Sequence, residues 1–377
     1  MNKIKVMTVV GTRPEIIKLS RVIHQLDMNA EHILVHSGQN YDYELNEIFF
    51  QQLEIRKPDH FLNAAGDTMA QTIGNVIAKA DDLFAATQPD AILLLGDTNS
   101  CLAAYPAKRR KIPVFHMEAG NRCFDHRVPE EVNRIIIDHI SDINLTYTEH
   151  ARRYLLAEGL KPETIIKTGS PMKEVIAHYR PQIDASDILV RLKLASNHYF
   201  VVSSHREENM DSELNFNDLV DTLKALADKY DLPIIVSTHP RTRKRMEQSG
   251  LEDFDHRIHF LKPLGYFDYV KLQMNACCTL SDSGTITEES SILNFPAVTI
   301  RQTHERPEGM DEGTLIMCGL KKERVLEAID VVRSHFSEGT RPFCIVQDYD
   351  VENVSKKVLR IIMSYTDYVN RTVWHRP

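Results

Sequence analysis

The sequence lacks most of the short signatures by which enzymes announce a bound group. No GxGxxG occurs anywhere in its 377 residues, which argues against nicotinamide or flavin chemistry of the dinucleotide-binding kind. Walker A and HExxH patterns are missing too, so nucleotide hydrolysis and zinc proteolysis have no basis here. The six Cys, at 101, 123, 277, 278, 318 and 344, form no CxxC and no Cys/His cluster at metal-ligand spacing. They read as free thiols of a reducing compartment, which makes the cytoplasm the expected location. No apolar stretch is long enough to span a bilayer, so no membrane role is expected. The apolar run in MNKIKVMTVVG is short and soon followed by Arg13, and reads as a first buried strand rather than a signal peptide. A formal charge of −8 supplies no basic footprint for nucleic acid. It does not exclude a locally positive pocket for a small anion.

What is present is a globular composition, 42% apolar and 26% charged. The length suits two domains of roughly 150–200 residues. Short apolar runs at 4–10, 31–37, 90–95, 112–117, 142–147 and 164–168 alternate with helical patterns at 14–27, 42–53, 68–86, 99–109, 130–138 and 149–158. That rhythm predicts a parallel sheet covered on both faces. A second set starts near 199 and continues at 233–238, 257–261, 277–281 and 296–300. The expected fold is therefore α/β, with two doubly wound Rossmann-like domains facing a cleft. The expected division is residues 1–170, residues 171–351, and a tail, 352–377, whose amphipathic helix at 352–368 returns to the first domain.

Charge collects where the predicted strands end. In VVGTRPEIIK, Gly11 permits a tight turn, Pro14 opens a helix, and Arg13 and Lys18 add cations to helix amides that attract anions. YFVVSSHREEN repeats this arrangement in the second half, with His205 just past the strand. LLGDTNS places Asp97 after a hydrophobic strand, where it is either functional or an N-cap. HMEAGNRCFDHRVPEEVNR supplies Glu118 at a strand end and Glu130, Glu131 and Arg134 at the next helix start. Acids at a helix start are ordinarily dipole partners. Asp97 and Glu118, however, are expected to leave neighbouring strands at one edge, and crowded carboxylates are how acid and base arise from one residue type. LSDSGTITEES offers Ser283, Gly284 and Thr285 as a phosphate turn, with Glu288 and Glu289 one turn on.

GTRPEIIK, GDTNS, HMEAG, PEEVNR, SHREEN, SDSG and ERPEG stand in the order found in non-hydrolysing UDP-N-acetylglucosamine 2-epimerases, and the resemblance covers almost the whole chain. GQNYDYELNE, GDTNSCLAA and HMEAGNRCFDHRVPEE resemble the subgroup that converts UDP-2-acetamido-2,6-dideoxy-L-talose to UDP-N-acetyl-L-fucosamine, a precursor of bacterial capsule and O-antigen. The resemblance implies a glycosyltransferase-B-like fold holding a UDP-sugar, a homodimer, and no metal or NAD. It implies catalytic roles for Asp97, Glu118 and Glu130, and places His205 near the leaving diphosphate. It further implies substrate contacts from Arg13, Lys18, Arg134, Tyr269, Ser283, Gly284, Thr285, Glu289 and Arg306. Tyr269 falls where an aromatic packs by the uracil, and Glu289 matches the ribose ligand.

Two positions depart from the common bacterial pattern. Asn40, Tyr41 and Asp42 follow Gly38-Gln39 where that pattern reads GQH-R-E-M, so the activator site of those enzymes is not expected here. Thr285 replaces the second glycine of the phosphate turn and adds a methyl and a hydroxyl.

The chemistry accounts for these residue types. A C2 hydrogen with no carbonyl beside it is not acidic, so simple enolisation is unavailable. Elimination of UDP to a 2-acetamidoglycal, followed by readdition, needs only proton-transfer groups on two faces and cations for the departing diphosphate. The rival readings are the UDP-N-acetylglucosamine/UDP-N-acetylmannosamine epimerase, a hydrolysing epimerase, a glycosyltransferase of the same fold, and a nucleotide-sugar sensor.

Overall fold

The computed structural model describes residues 3–38, 43–204, 212–238, 255–336 and 340–376. The chain divides into two compact units, residues 1–178 with 347–377, and residues 179–346.

The first unit is built on seven strands: β1 (Lys5–Val10), β2 (Glu31–His36), β3 (His60–Phe61), β4 (Ala91–Leu95), β5 (Val114–Met117), β6 (Ile143–Thr146) and β7 (Ile165–Lys167). They lie in the order β3-β2-β1-β4-β5-β6-β7, and every pairing is parallel. The order reverses direction between β1 and β4, the point at which such sheets bind ligands. Ala91–Leu95 is buried along its whole length, because helices cover both of its faces. The helix Arg13–Asn29 lays Ile16, Leu19, Val22, Ile23 and Leu26 inward at helical spacing. The helix Met69–Thr87 starts at Thr68, whose hydroxyl accepts from Gln71 N while the Gln71 side chain accepts from Thr68 N.

The tail belongs to this unit. Its helix Val354–Thr372 buries Val358, Ile362, Thr366 and Val369 and packs against the helix Arg13–Asn29. Asp348 ties the return down. Its carbonyl accepts from Ser170 N at 2.9 Å, and its carboxylate accepts from Glu149 N at 2.9 Å.

The second unit repeats the plan with β8 (Phe200–Ser204), β9 (Ile234–Thr238), β10 (Ile258–Leu261), β11 (Cys278–Ser281), β12 (Ala297–Thr299) and β13 (Ile316–Met317), in the order β10-β9-β8-β11-β12-β13. All described pairings are parallel. β8 holds the place in this sheet that β1 holds in the other, as the likeness of the two half-sequences suggested. Phe200, Val202, Leu223, Leu226, Val236, Leu280 and Ile329 form the larger core, between the sheet and the helices Glu213–Tyr230 and Lys322–His335. Two doubly wound parallel α/β domains are therefore present, as the alternation of runs predicts.

Three details differ from the sequence pattern. The short edge strands β3 and β13, two residues each, carry too little periodicity to be read. The helix expected over 99–109 is a 3₁₀ segment, Asn99–Ala103, followed by an α-helix, Ala104–Arg109. Pro106 has no N–H to give to the carbonyl four residues back, so the preceding turn winds more tightly. The helix Met172–Ala185 fills the stretch read as a domain boundary.

Candidate active site

Register brings the first pair of acids together. Leu95 of β4 pairs with Met117 of β5, so Gly96-Asp97 and Glu118 leave adjacent strands at the same level. Gly96 N donates to Met117 O at 3.0 Å. Gly96 (φ +75°), Glu118 (φ +63°) and Gly120 (φ +82°) are all left-handed. That conformation is ordinary for glycine and costs on the order of 1 kcal/mol or more for Glu118.

The side chains around these turns form three linked groups. Lys18 and Glu118 make the first. Lys18 Nζ lies 2.7 Å from Glu118 Oε2, and its ammonium stands 5.7 Å from the centre of the Tyr147 ring. Asn121 Nδ2 donates to the other Glu118 oxygen at 3.3 Å. Lys18, expected from the sequence among the substrate contacts, stands against Glu118.

Asp97 and Arg134 make the second. Arg134 Nε donates to Asp97 Oδ2 at 2.7 Å, and Arg134 Nη1 donates to Glu131 Oε2 at 2.9 Å. Asn133 Nδ2 donates to the Asp97 carbonyl at 2.8 Å. Glu131 also accepts from the backbone N–H groups of Cys123 and Phe124. Burial opposes its charge, but those bonds and Arg134 outweigh it and hold the carboxyl below its ordinary value. Glu131 therefore organises the loop before the helix Pro129–Ile140. Glu130, beside it, is half-buried and has no hydrogen bond or ion pair among the described residues.

Glu15 makes the third, and the sequence reading did not single it out. It is almost fully buried. One oxygen accepts from Gly11 N and from Thr12 N (3.0 Å); the other accepts from the Thr98 hydroxyl and from Ser100 Oγ (2.8 Å). Burial raises its carboxyl to about 7, against the lowering effect of these four bonds. Glu15 thus ties the GTRPE turn to the GDTNS turn. The Thr12-x-x-Glu15 spacing of a capping box was the available signal. Arg13 is half-buried, with its guanidinium 5.9 Å from the centre of the Phe49 ring.

In the second unit, β11 ends at Ser281 and the helix Thr285–Leu293 starts after Gly284. Ser283 Oγ and Thr285 Oγ1 are 3.0 Å apart, so Thr285 adds its hydroxyl to the turn. Arg306 Nε donates to Gly284 O at 2.8 Å, and Arg306 Nη2 lies 3.1 Å from Glu288 Oε2 with both side chains buried. A Cβ at position 284 would stand 2.7 Å from Glu305 Oε1, so glycine suits this packing. Glu289 accepts from Gln273 Nε2 at 2.8 Å. Tyr269 is half-buried; desolvation of its hydroxyl, with Glu289 nearby, pushes the phenol well up. A small cavity is lined by Ser283, Gly284, Thr287, Arg301, Glu305 and Arg306. Ser283, Gly284, Thr285, Glu289 and Arg306 thus cluster at one helix start. His205 and the segment 39–42 lie outside the described residues.

Known proteins place this arrangement. The UDP-N-acetylglucosamine 2-epimerase family model matches residues 24–363. A solved UDP-N-acetylglucosamine 2-epimerase from Rickettsia bellii is 56% identical over the full length of both chains, with a TM-score of 0.93. The Methanocaldococcus jannaschii UDP-GlcNAc 2-epimerase, solved with UDP-GlcNAc and UDP, is 31% identical over 96% of this chain and all of its own, with a TM-score of 0.89. A Pseudomonas aeruginosa UDP-2,3-diacetamido-2,3-dideoxy-D-glucuronate 2-epimerase is 32% identical, covering 86% of this chain and 91% of its own. The chain belongs to the UDP-N-acetylglucosamine 2-epimerase family and is an isomerase.

Proposed function

We propose that this isomerase inverts C2 of a UDP-2-acetamido sugar, and that its substrate is the 6-deoxy sugar UDP-2-acetamido-2,6-dideoxy-L-talose. The product is then UDP-N-acetyl-L-fucosamine, made in the cytoplasm for bacterial surface polysaccharide. A carboxylate removes the C2 proton as the C1–O bond to UDP breaks, leaving a 2-acetamidoglycal and UDP. UDP then adds back at C1 while a proton reaches C2 on the opposite face. The observation that carries this reading is the level pairing of Leu95 with Met117, which starts the Asp97 and Glu118 turns side by side.

Asp97, Glu118 and Glu130 are the proton-transfer groups, with His205 at the diphosphate. Arg13 meets negative charge on the substrate, Lys18 orients Glu118, and Arg134 orients Asp97. In the second unit, Ser283, Gly284, Thr285 and Arg306 hold the diphosphate, Glu289 the ribose and Tyr269 the uracil. The working form is a homodimer.

Incubation in D₂O with the 6-deoxy-L-talo substrate, followed by NMR at C2, tests the reading. Inversion with one deuterium at C2 and the UDP-sugar intact is the expected result. The Rickettsia bellii likeness favours UDP-N-acetylglucosamine as the alternative substrate. Faster turnover of that sugar in the same assay overturns the fucosamine assignment and keeps the C2 epimerase. Free amino sugar points to hydrolysis, and no exchange with either substrate points to transfer or sensing.

A further inference from the structure

A buried set of charges behind the two acidic turns is left without a role by the reaction as described. His116 lies on β5, one residue before its end. Its Nδ1 is 2.8 Å from Asp138 Oδ1, and its Nε2 is 2.7 Å from Gly96 O. A carbonyl oxygen only accepts, and so does an ionised carboxylate, so the ring donates from both nitrogens. Burial opposes the charge of Asp138, but bonds from His116 and Arg122 hold its carboxyl below the usual value.

The second oxygen of Asp138 accepts from Gly120 N at 3.1 Å and from Arg122 Nη1 at 2.7 Å. Arg122 continues to Glu158 with two bonds of 2.7 Å. His116, Arg122 and Asp138 are each no more than 2% exposed, and the network reaches the surface at the partly exposed Glu158, which also meets His139 Nε2 at 3.0 Å. Arg122 faces Asp138 and Glu158, and a buried set of this kind holds only while all its members are paired.

The ends of the network matter most. Gly96 O directly precedes Asp97. Gly120 N follows Glu118 by two residues. The Asp97 turn is left-handed at Gly96 and the Glu118 turn at Glu118 and Gly120; at Glu118, which is not a glycine, the conformation persists only where its surroundings over-determine it.

We propose that His116 is a positioning residue of the epimerase reaction, fixing the Asp97 turn against the Glu118 turn through Gly96 O and Asp138. The proposal rests on the reading of Asp97 and Glu118 as proton-transfer groups. His116 does not meet substrate; it sets where two groups that do are held, and a misplacement of about 1 Å can cost about a hundredfold in rate.

The test compares His116→Asn with His116→Gln in the full-length enzyme. An Asn amide can reach the Nδ1 position and donate to Asp138; a Gln amide can reach the Nε2 position and donate to Gly96 O. His116→Asn is expected to lose about a hundredfold in kcat, with KM and UDP affinity held within a few-fold. His116→Gln is expected to recover most of that loss. Wild-type kcat in both variants, or losses that only follow the folded fraction, overturns the proposal. Should Asn at 116 prevent folding, Glu158→Gln probes the outer end of the network: a several-fold loss in kcat at constant KM supports it, and unchanged kcat overturns it. Asp97→Asn and Glu118→Gln run in the same assay. If both keep full turnover, the proton-transfer reading falls and this proposal with it. If both are inactive while His116→Asn turns over normally, the positioning role alone falls.

Discussion

Lys18 Nζ and Glu118 Oε2 stand 2.7 Å apart, although one hundred residues separate them in sequence. Lys18 lies on the second turn of the first helix and Glu118 follows β5, so the contact exists only because β1, β4 and β5 are neighbours in the sheet. Both side chains are largely sheltered from water, at 4% and 12% exposure, so their attraction is poorly screened. The ammonium fixes where that Glu118 oxygen points, and the reading of Glu118 as a proton-transfer group depends on such placement.

Lys18→Met removes that charge while keeping a long apolar stem. The expected outcome is a loss of kcat of about a hundredfold or more, with UDP affinity changed by no more than a few-fold. Steady-state kinetics beside UDP titration calorimetry separates the terms. A parallel collapse of UDP affinity, with kcat at saturation intact, would instead place Lys18 on the diphosphate.

Gly120 closes the Glu118 turn at φ +82°, and a Cβ there would sit 2.4 Å from the Ala151 carbonyl oxygen. Gly159 has a similar φ, +87°, but no neighbour within 4 Å of a built Cβ. Gly159→Ala should therefore cost only the left-handed strain, about 1–2 kcal/mol. Gly120→Ala should cost clearly more, because a backbone atom must move, and it should also lower turnover by shifting Glu118. Urea midpoints of the two variants check the difference. Equal midpoints would mean that the Ala151 backbone yields without cost.

Much of this was legible before any coordinates. Asp97 and Glu118 stood out because each is an acid ending an apolar run, and parallel sheets place ligands at such ends. What single residues could not reveal was who faces whom. Glu131 read as helix-start electrostatics and Arg134 as a substrate contact, yet they sit with Ile137 and Asp138 on the buried stripe of the helix Pro129–Ile140. A charged residue at an inward helical position was the missed signal. His116 was hidden for the opposite reason: a histidine in an apolar strand is ordinarily core, and its use depends on Asp138, twenty-two residues away. The domain limit read near TGSPM gave no hint of the helix Met172–Ala185, because Pro171 and Pro181 look like breakers; the first merely precedes the helix, and the second is tolerated inside it.

The second unit carries its own test of charge pairing. Glu288 is fully buried and Arg306 nearly so, with 3.1 Å between Arg306 Nη2 and Glu288 Oε2. Arg306→Met takes that cation away from a buried carboxylate, an outcome that typically costs about 3–5 kcal/mol. The double variant Arg306→Met with Glu288→Met removes the carboxylate as well and should recover part of the loss. Thermal unfolding of the two variants decides it. A double variant less stable than Arg306→Met alone would show that Glu288 has other partners of equal weight.

Glu15 makes its own contribution to the pH dependence of stability. Its folded-state carboxyl is raised from the ordinary 4.5 to about 7, chiefly by burial. Between those limits folded Glu15 holds a proton that it has released in the unfolded chain, so its contribution to stability falls as pH rises through this window and levels off above it. The full effect is on the order of 3 kcal/mol. Glu15→Gln keeps an oxygen for Gly11 N and Thr12 N, and its amide can donate to the Thr98 and Ser100 hydroxyls. The variant has no charge to bury. Its stability relative to the wild type should therefore start small near pH 4.5 and grow steadily in the variant's favour until pH 7. Urea unfolding at half-unit steps measures that difference, and a difference that stays flat across the window would show that Glu15 is ionised in the fold throughout. In that event its four hydrogen bonds outweigh burial, and the tie between the GTRPE and GDTNS turns is a permanent charge rather than one that a proton can relax.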